Sequence, residues 1–376
     1  MISRETIQDE RDPAITTDCI RLHRLVRQIA AAGLNDDARA SFGAALIAAL
    51  AAVYPTRVFN RMQDWPRARR LDALAWPLVA PPAIIPEVAS AAASVLLDGL
   101  ASFSHALAAF AKARPLFERA VALAEVHFGP VDPFTDQTIN NLALLMYDHG
   151  EHAAALPLHR RALAMREAAL GPNHEDTAVS LNNLSNVLAY QDDLAAARPL
   201  LERAVAIWTL VVGEDHPRPA QGMNNLALLA YRQRDLATSR ALYLKTLPIY
   251  EARFGPRHPE TANGLSNLAQ VYLDLGQPDE AHVMGARALD YAESGLGPDR
   301  PASANMRAKL ARIVLAQGND AAALGLAASA LDGLEAVLAP GARALRFAAG
   351  IAADCLDALD RPQDAAAIRE RHLTTG

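Results

Sequence analysis

Eleven histidines are the residues of this chain with the clearest capacity to bind a metal or to transfer protons. Three of them, His174, His216 and His258, follow one another at intervals of forty-two residues. If each lies on its own linker between packed helices, neighbours are roughly 10 Å apart. Zinc–nitrogen bonds of about 2.0–2.1 Å cannot gather ligands across that gap. We therefore predict that each of these histidines fixes its own turn.

No other arrangement of residues predicts catalysis. His149, His152 and His159 are close in sequence, but no cysteine or paired carboxylate accompanies them. The chain contains no HExxH motif, no Gly-x-Ser-x-Gly motif and no Gly-x-x-x-x-Gly-Lys-Ser/Thr phosphate loop. We therefore predict no catalytic residue, no metal and no cofactor, and we expect that the chain is not an enzyme.

A series of amides at the same interval is the better candidate for a binding site. Asn141, Asn183, Asn225 and Asn267 are each followed by Leu, and Lys309 comes one step later. An Asn amide has two donors and an acceptor, so it can bracket a peptide backbone without reading side chains. Each such bond contributes about 0.5–1.5 kcal/mol. The alternative is that the amides tie neighbouring helices together, and both hypotheses stay open at this point.

Neighbouring polar and aromatic residues complete the predicted site. Its expected ligand is a protein or peptide segment, with no nucleic acid and no membrane. Cations at Lys309 and Arg312 favour an acidic or C-terminal stretch of that ligand, because charge-assisted hydrogen bonds are roughly twice as strong as neutral ones. The predicted peptide-binding residues are Asn141, Asn182, Asn183, Asn186, Asn224, Asn225, Asn267, Lys309, Arg312, Tyr190 and Tyr231.

The elements that would position these residues repeat with the same period. Gly129, Gly171, Gly213, Gly255 and Gly297 are forty-two residues apart. Between them, apolar residues recur at helical spacing in two segments separated by a short turn. Self-similarity at such a period indicates stacked repeats. The sequence thus predicts an all-α, right-handed α-solenoid of about seven helix pairs.

Small residues recur in the second helix of each predicted pair, where close packing would require them. They form two series with the same period. The first is Ala155, Ala197, Ser239 and Ala281, and the second is Ala120, Ala162, Ala204, Thr246 and Ala288.

These repeats resemble a known family. The pattern Asn-Asn-Leu-Ala, a Gly turn, Pro-Leu and Arg-Ala-Leu, then a Gly-Pro-x-His-Pro-x-Thr linker, is similar to the tetratricopeptide repeats of the kinesin light chain type. Good copies occupy residues 140–177, 182–219, 224–261 and 266–303. The resemblance implies superhelical repeats whose first helices line a concave, partner-binding groove. It therefore implies a scaffold or sensor module that holds an extended partner segment.

The first ninety residues lack the period. The run from Cys19 to Arg27 resembles the closing strand and helix of the winged-helix module in bacterial STAND-type (NB-ARC) ATPases. That resemblance implies an alternative function, the sensor half of a split or decayed signalling ATPase that regulates a partner effector. The other interpretation is an amphipathic helix from Leu22 to Ala32 that caps the array. We divide the chain into residues 1–32 (winged-helix remnant or N-terminal cap), 33–89 (helical linker) and 90–376 (repeat array).

Composition limits the remaining possibilities. Aromatic residues are only 5% of the chain, so Ala and Leu must build the core, as is typical of packed helices. A net charge of −6 without basic runs argues against nucleic-acid binding. No apolar stretch is long enough to span a bilayer, and the N-terminus does not resemble a signal peptide. Two cysteines far apart in sequence predict no disulfide, so we expect a cytoplasmic protein. The oligomeric state does not follow from the sequence.

Overall fold

The chain divides into two compact units, residues 1–191 and residues 192–376. The computed structural model describes residues 2–8, 16–22, 35–55, 64–298, 300–338 and 342–373. Within these ranges there are two strands and sixteen α-helices. The prediction of an α-helical repeat fold is confirmed from Asp36 onward.

Residues 2–8 and 16–22 form strands, which the all-α fold class did not include, although the winged-helix resemblance implied a strand at Cys19. Strands β1 (Ile2–Gln8) and β2 (Thr16–Leu22) pair antiparallel, with Ile2 opposite Leu22 and Gln8 opposite Thr16. The predicted helix from Leu22 to Ala32 begins at the last residue of β2, and its remaining positions lie outside the described residues. The forty-two-residue period carries no information about these strands, because the residues before the repeats do not follow it. The three-part division of the chain stays a prediction.

Unit 1 continues with seven helices. They are α1 (Asp36–Val53), α2 (Trp65–Val79), α3 (Ser90–Ala106), α4 (Phe110–His127), α5 (Pro133–Asp148), α6 (His152–Leu170) and α7 (Glu175–Tyr190). One apolar core joins them, and its fully buried side chains include Ile47, Leu97, Phe103, Phe117 and Leu145. Helices α1 and α2 pack on α3, so the segment before the repeats covers the first helix of the array.

Unit 2 consists of nine helices in its described residues. They are α8 (Leu194–Val212), α9 (Pro217–Arg232), α10 (Leu236–Phe254), α11 (Pro259–Asp274), α12 (Pro278–Leu296), α13 (Pro301–Ala316), α14 (Asp320–Glu335), α15 (Arg343–Ala358) and α16 (Pro362–His372). Consecutive helices from α9 to α16 pack as antiparallel pairs, each pair against the next. Tyr243, Leu265 and Leu268 are fully buried in the core between α9 and α13.

The linkers between pairs are fixed by bonds that recur with the period. Gly171 ends α6 at a φ of 91°, a left-handed conformation that glycine adopts without steric cost. Thr177 then donates from its hydroxyl to the Gly171 carbonyl over 2.9 Å. His174 caps α7 by accepting the Asp176 amide hydrogen at Nδ1 over 3.1 Å. His216 and His258 cap α9 and α11 in the same way, so the prediction that these histidines fix their own turns is confirmed.

Small residues form the seam between paired helices within each unit, as the sequence predicts. Every residue of the two predicted series is fully buried, and the first series extends with the same period to Ala113, Ala323 and Ala365. Ser239 on α10 donates from its hydroxyl to the Ala227 carbonyl on α9 over 2.7 Å. A larger side chain at such a position would push the two helices apart.

None of the helices in the described ranges combines the length and the apolar character that a bilayer-spanning segment requires.

Close helix packing predicts opposite effects for two glycine-to-alanine changes in unit 2. At Gly222 on α9 an added Cβ would lie 2.6 Å from Cγ2 of Val205 and 3.1 Å from the Trp208 ring. Gly222→Ala should therefore lower the free energy of unfolding by about 1–3 kcal/mol. Gly325 on α14 is exposed with open space around it, so Gly325→Ala should raise it by about 0.5–1 kcal/mol. Urea titration followed by circular dichroism measures both, and equal changes would contradict the packing argument.

Candidate functional site

In unit 1 the predicted binding amides make bonds from one first helix to the next. Asn141 on α5 donates from Nδ2 to Oδ1 of Asp98 on α3 over 3.0 Å. Asn183 on α7 donates from Nδ2 to Oδ1 of Asn140 on α5, also over 3.0 Å. Each bond therefore joins an Asn to the residue that comes forty-three positions earlier. For these two residues the structure supports the stacking hypothesis.

These bonds do not exhaust the amides, because each Nδ2 carries two hydrogens. Asn141 and Asn183 are half-buried, and so is Asn186 one turn further along α7. Asn182 is buried, with its Nδ2 3.5 Å from Oδ1 of Asn183. Stacking and ligand binding are thus compatible in unit 1, although several of the Asn amide groups already bond to neighbouring helices.

Tyr190, the predicted aromatic anchor of unit 1, remains 48% exposed at the end of α7. Its ring centroid lies 3.6 Å from that of His152 and 6.1 Å from that of Tyr147. Burial lowers the pKa of His152, so its ring is neutral near pH 7 and packs as an aromatic surface. Unit 1 therefore has an exposed aromatic ring, Tyr190, that packs against His152 and Tyr147.

The polar residues of unit 2 converge on a carboxylate that sequence reasoning overlooked, Asp274 at the end of α11. Its Oδ2 accepts from the Tyr231 hydroxyl over 2.6 Å, and its Oδ1 accepts from Arg312 over 3.0 Å. Nη1 of Arg234 lies 3.4 Å from the same Oδ2 of Asp274. Tyr231 was expected as an apolar anchor, but its hydroxyl is held in this network. Burial, and then the bond to Asp274, raises the pKa of Tyr231.

Lys309 on α13 is the unusual member of this group, which we call the Lys309 cluster: Asn267, Gln270, Asp274, Lys309 and Arg312. The Lys309 ammonium donates to Oδ1 of Asn267 over 3.1 Å. It forms no ion pair with any residue that the structure describes. Burial, with a contribution from Arg312, lowers its pKa to about 8. Arg307, two positions earlier on the same helix, pairs with Glu293.

The buried polar atoms of unit 2 without a hydrogen-bond partner include Nε of Arg312, Nε2 of Gln270 and Oδ1 of Asn224. Gln270 and Arg312 lie one turn beyond Asn267 and Lys309 on α11 and α13, which places two unused donors beside the ammonium. Asn225, another predicted residue, is half-buried on α9. Unpaired buried donors are uncommon and favour an acceptor from outside the chain.

Asp98, also missed by sequence reasoning, replaces an asparagine in the series that continues through Asn140, Asn182 and Asn224. It is only 5% exposed, and burial raises the pKa of its carboxyl from 3.8 to about 6, an effect that the bond from Asn141 partly offsets. Its position, forty-two residues before Asn140, was the available signal. As for metal ligands, the described parts of the chain contain no group of three or more His, Cys, Asp or Glu side chains that could hold an ion.

The fold and these inter-helix bonds define a helical-repeat protein, and comparisons with known proteins identify the repeat. The family model described as "Tetratricopeptide repeat" matches residues 91–168, 150–209, 176–252 and 218–294, which together exceed half of the chain. The chain therefore belongs to the tetratricopeptide repeat family. Such repeats are scaffolds typical of protein-binding modules.

The solved structures that are similar to the chain include the following three. The apo form of the quorum sensor NprR from B. thuringiensis is 10% identical, with 92% of this chain and 90% of that chain covered and a TM-score of 0.61. BtubC (BKLC) from P. vanneervenii is 20% identical, with 68% and 92% covered and a TM-score of 0.49. A Podosopora anserina protein described as a kinesin light chain with nearly identical TPR-like repeats is 21% identical, with 55% and 96% covered and a TM-score of 0.47. At these identities the likeness shows the fold alone. No curated protein sequence matches the chain.

The bond between Asn183 and Asn140 should appear as a coupling energy in a double-mutant cycle. We expect the two Ala substitutions to be non-additive by about 0.5–1.5 kcal/mol in the free energy of unfolding, the typical net contribution of a hydrogen bond. Asn173, exposed on the linker before α7, serves as the control partner. Its Ala variant should combine additively with Asn183→Ala. A coupling near zero between Asn183 and Asn140 would show that the bond does not stabilise the stack.

Asp98 should make stability depend on pH. Since its carboxyl has a pKa of about 6 in the folded chain and 3.8 ordinarily, folding favours the protonated form. The ionised form therefore costs stability as pH rises from about 4 through 6. Asp98→Asn keeps an acceptor for Asn141 without the charge, so it should stabilise unit 1 on the order of 1–3 kcal/mol at pH 8 and by little at pH 4. Thermal unfolding across this pH range tests the sign, and destabilisation at pH 8 would refute it.

Proposed function

We propose that the protein is a non-enzymatic scaffold that holds an extended segment of a protein partner along the first helices of its repeats. The Lys309 cluster in unit 2 binds a carboxylate of that segment, either an acidic side chain or the C-terminus. The remaining Asn side chains hold the segment's backbone. The encounter takes place in the cytoplasm.

The observation that carries the proposal is the charge balance around Lys309. Three cations lie in this part of unit 2: Arg312 and Arg234 both pair with Asp274, whereas Lys309 bonds to Asn267. Among the described residues, Lys309 hydrogen-bonds only to the neutral oxygen of Asn267. A half-buried ammonium beside a guanidinium is unfavourable without an anion, as the lowered pKa of Lys309 reflects.

A carboxylate is the anion that best fits the donors of this cluster. Lys309 supplies ammonium hydrogens, and the unpaired Nε of Arg312 and Nε2 of Gln270 supply two more donors. A carboxylate accepts several hydrogen bonds through two oxygens, and bonds between charged partners contribute about 1.5–3 kcal/mol each. Binding would also restore an ordinary pKa to Lys309.

A similar fold in a signalling protein agrees with a sensor role. The structure with the highest of the three reported TM-scores belongs to a quorum sensor. At 10% identity this likeness concerns the fold, so the proposal depends on the Lys309 cluster.

Fluorescent decapeptide pools of randomised sequence test the proposal. One pool has a free C-terminal carboxylate, one is amidated, and one is amidated but enriched in Asp and Glu. Fluorescence anisotropy should show tighter binding of the two carboxylate-bearing pools. Lys309→Gln and Arg312→Gln should each weaken that binding about tenfold, the factor that corresponds to one charge-assisted bond. Raising salt from about 0.05 to 0.5 M should also weaken it, because the screening length falls well below 10 Å.

Lys245→Gln is the matched control, because Lys245 is an exposed lysine of unit 2 that pairs with Glu214. It should leave binding unchanged. The proposal fails if the three pools bind equally, or if Lys245→Gln weakens binding as much as Lys309→Gln does.

We also propose, as a second candidate, that the chain is the sensor half of a split or decayed STAND-type ATPase and regulates an effector. It is supported by β2, since the first four residues of the run that resembles the winged-helix module, Cys19 to Leu22, are in a strand. Co-expression with an ATPase from an adjacent reading frame that carries a phosphate loop should yield a stable complex. Separate elution of the two chains, or the absence of such a reading frame, would exclude this candidate.

A further inference from the structure

A cavity of about 180 Å³ lies in unit 1 between the end of α1 and helices α3 and α5. Its lining combines two aromatic rings, Tyr54 and Phe134, with the carboxylate of Asp98. The lining also includes Gly99 and the polar residue Gln137, which is exposed to solvent. The Lys309 cluster belongs to the other unit, so the cavity is distinct from the site proposed above.

The sequence makes room for this cavity at one repeat position. Gly99 precedes Asn141 by forty-two residues and so stands where the later repeats have Asn. A Cβ at Gly99 would lie 2.6 Å from Cδ1 of Tyr54, so the ring fits only because glycine is there. The Tyr54 hydroxyl is fixed by donating to Oδ1 of Asp72 over 2.6 Å. The ring therefore packs against Gly99 on α3 and is anchored through its hydroxyl to α2.

Asp98 is the group in this wall whose charge is not balanced. Its hydrogen-bond partners are the neutral amide of Asn141 and the hydroxyl of Thr138, and no cationic side chain of the described residues pairs with it. With a pKa of about 6, the carboxyl is mostly ionised at neutral pH. An unpaired charge buried in this way costs stability, and an asparagine, as at the equivalent positions 140, 182 and 224, would avoid the cost.

We propose that the cavity is a binding site for a short alkylammonium or alkylguanidinium group. The Asp98 carboxylate pairs with the cation, and the Tyr54 and Phe134 rings enclose its aliphatic stem. The cation comes either from a free amine or from a Lys or Arg side chain of a partner, since both present the same chemistry.

Size and chemistry both favour such a ligand. An engineered cavity of about 150 Å³ holds benzene, so this one has room for a butylammonium ion. A wholly apolar ligand would leave the Asp98 charge unpaired, and an anion would be repelled by it. Aromatic faces add attraction for a cation, and an ion pair out of water benefits from reduced screening.

Isothermal titration calorimetry on the full chain at pH 8 tests the proposal, with butylammonium as the probe and 1-butanol as its neutral counterpart. We expect butylammonium to bind at least tenfold more tightly than 1-butanol. Acetyl-lysine methylamide and acetyl-arginine methylamide form the second arm. If they bind as tightly as butylammonium or more so, the source is a partner's side chain. If only the free amine binds, the ligand is a small molecule.

Asp98→Asn should weaken butylammonium binding at least tenfold while raising the melting temperature at pH 8, a combination that a purely structural role would not produce. Asp148→Asn is the matched control, because Asp148 is a carboxylate of α5 that pairs with His105 away from the cavity. It should leave butylammonium binding unchanged. Gly99→Ala, which displaces the Tyr54 ring, should abolish binding. Equal binding of butylammonium and 1-butanol by the unaltered chain, undiminished binding by Asp98→Asn, or no saturable binding at millimolar butylammonium would each overturn the proposal.

Discussion

The close approach of two helices across small side chains is the constraint on which this structure depends. The seam residue of the second helix is Ala or Ser in every repeat from Ala113 to Ala365, and each is fully buried. At Ser239 the helices are close enough for a side-chain hydroxyl to bond a backbone carbonyl of its partner. Because this distance is fixed, first helices of neighbouring repeats are also held at a fixed distance. Short side chains such as Asn then reach from one first helix to the next.

The two units use that fixed distance differently. In unit 1, neutral amides and Asp98 bond to one another, and the polar residues mainly hold the stack together. In unit 2, Lys309 takes an Asn position, and within the described part of the chain its ammonium bonds only to Asn267. The same backbone position therefore supports a satisfied hydrogen bond in one repeat and an unbalanced charge in another. Because of this contrast, we propose ligand recognition at the Lys309 cluster rather than equally at every position of the Asn series.

Asp98 and Lys309 are opposite in charge but alike in energetic character. Burial moves each pKa toward the neutral form, upward for the carboxyl and downward for the ammonium. Neither change benefits folding at neutral pH, since Asn or Gln would make the same hydrogen bonds without the charge. Residues that lower the free energy of unfolding without improving packing or hydrogen bonding are often those that bind ligands. Each of the two has an oppositely charged ligand that would offset its cost.

The sequence by itself determined the helical repeat, its period, the seam residues and the role of His174, His216 and His258 in fixing their own turns, because each depends on local spacing along the chain. It did not determine β1 and β2, since residues 2–22 lack the period. Nor did it determine which Asn side chains bond to neighbours, or that Tyr231 joins Asp274. Those outcomes depend on side chains about forty residues apart, whose rotamers and burial are set only when helices pack. Tertiary structure likewise decided the Asp98 cavity, because Tyr54 reaches Gly99 from a helix outside the repeats.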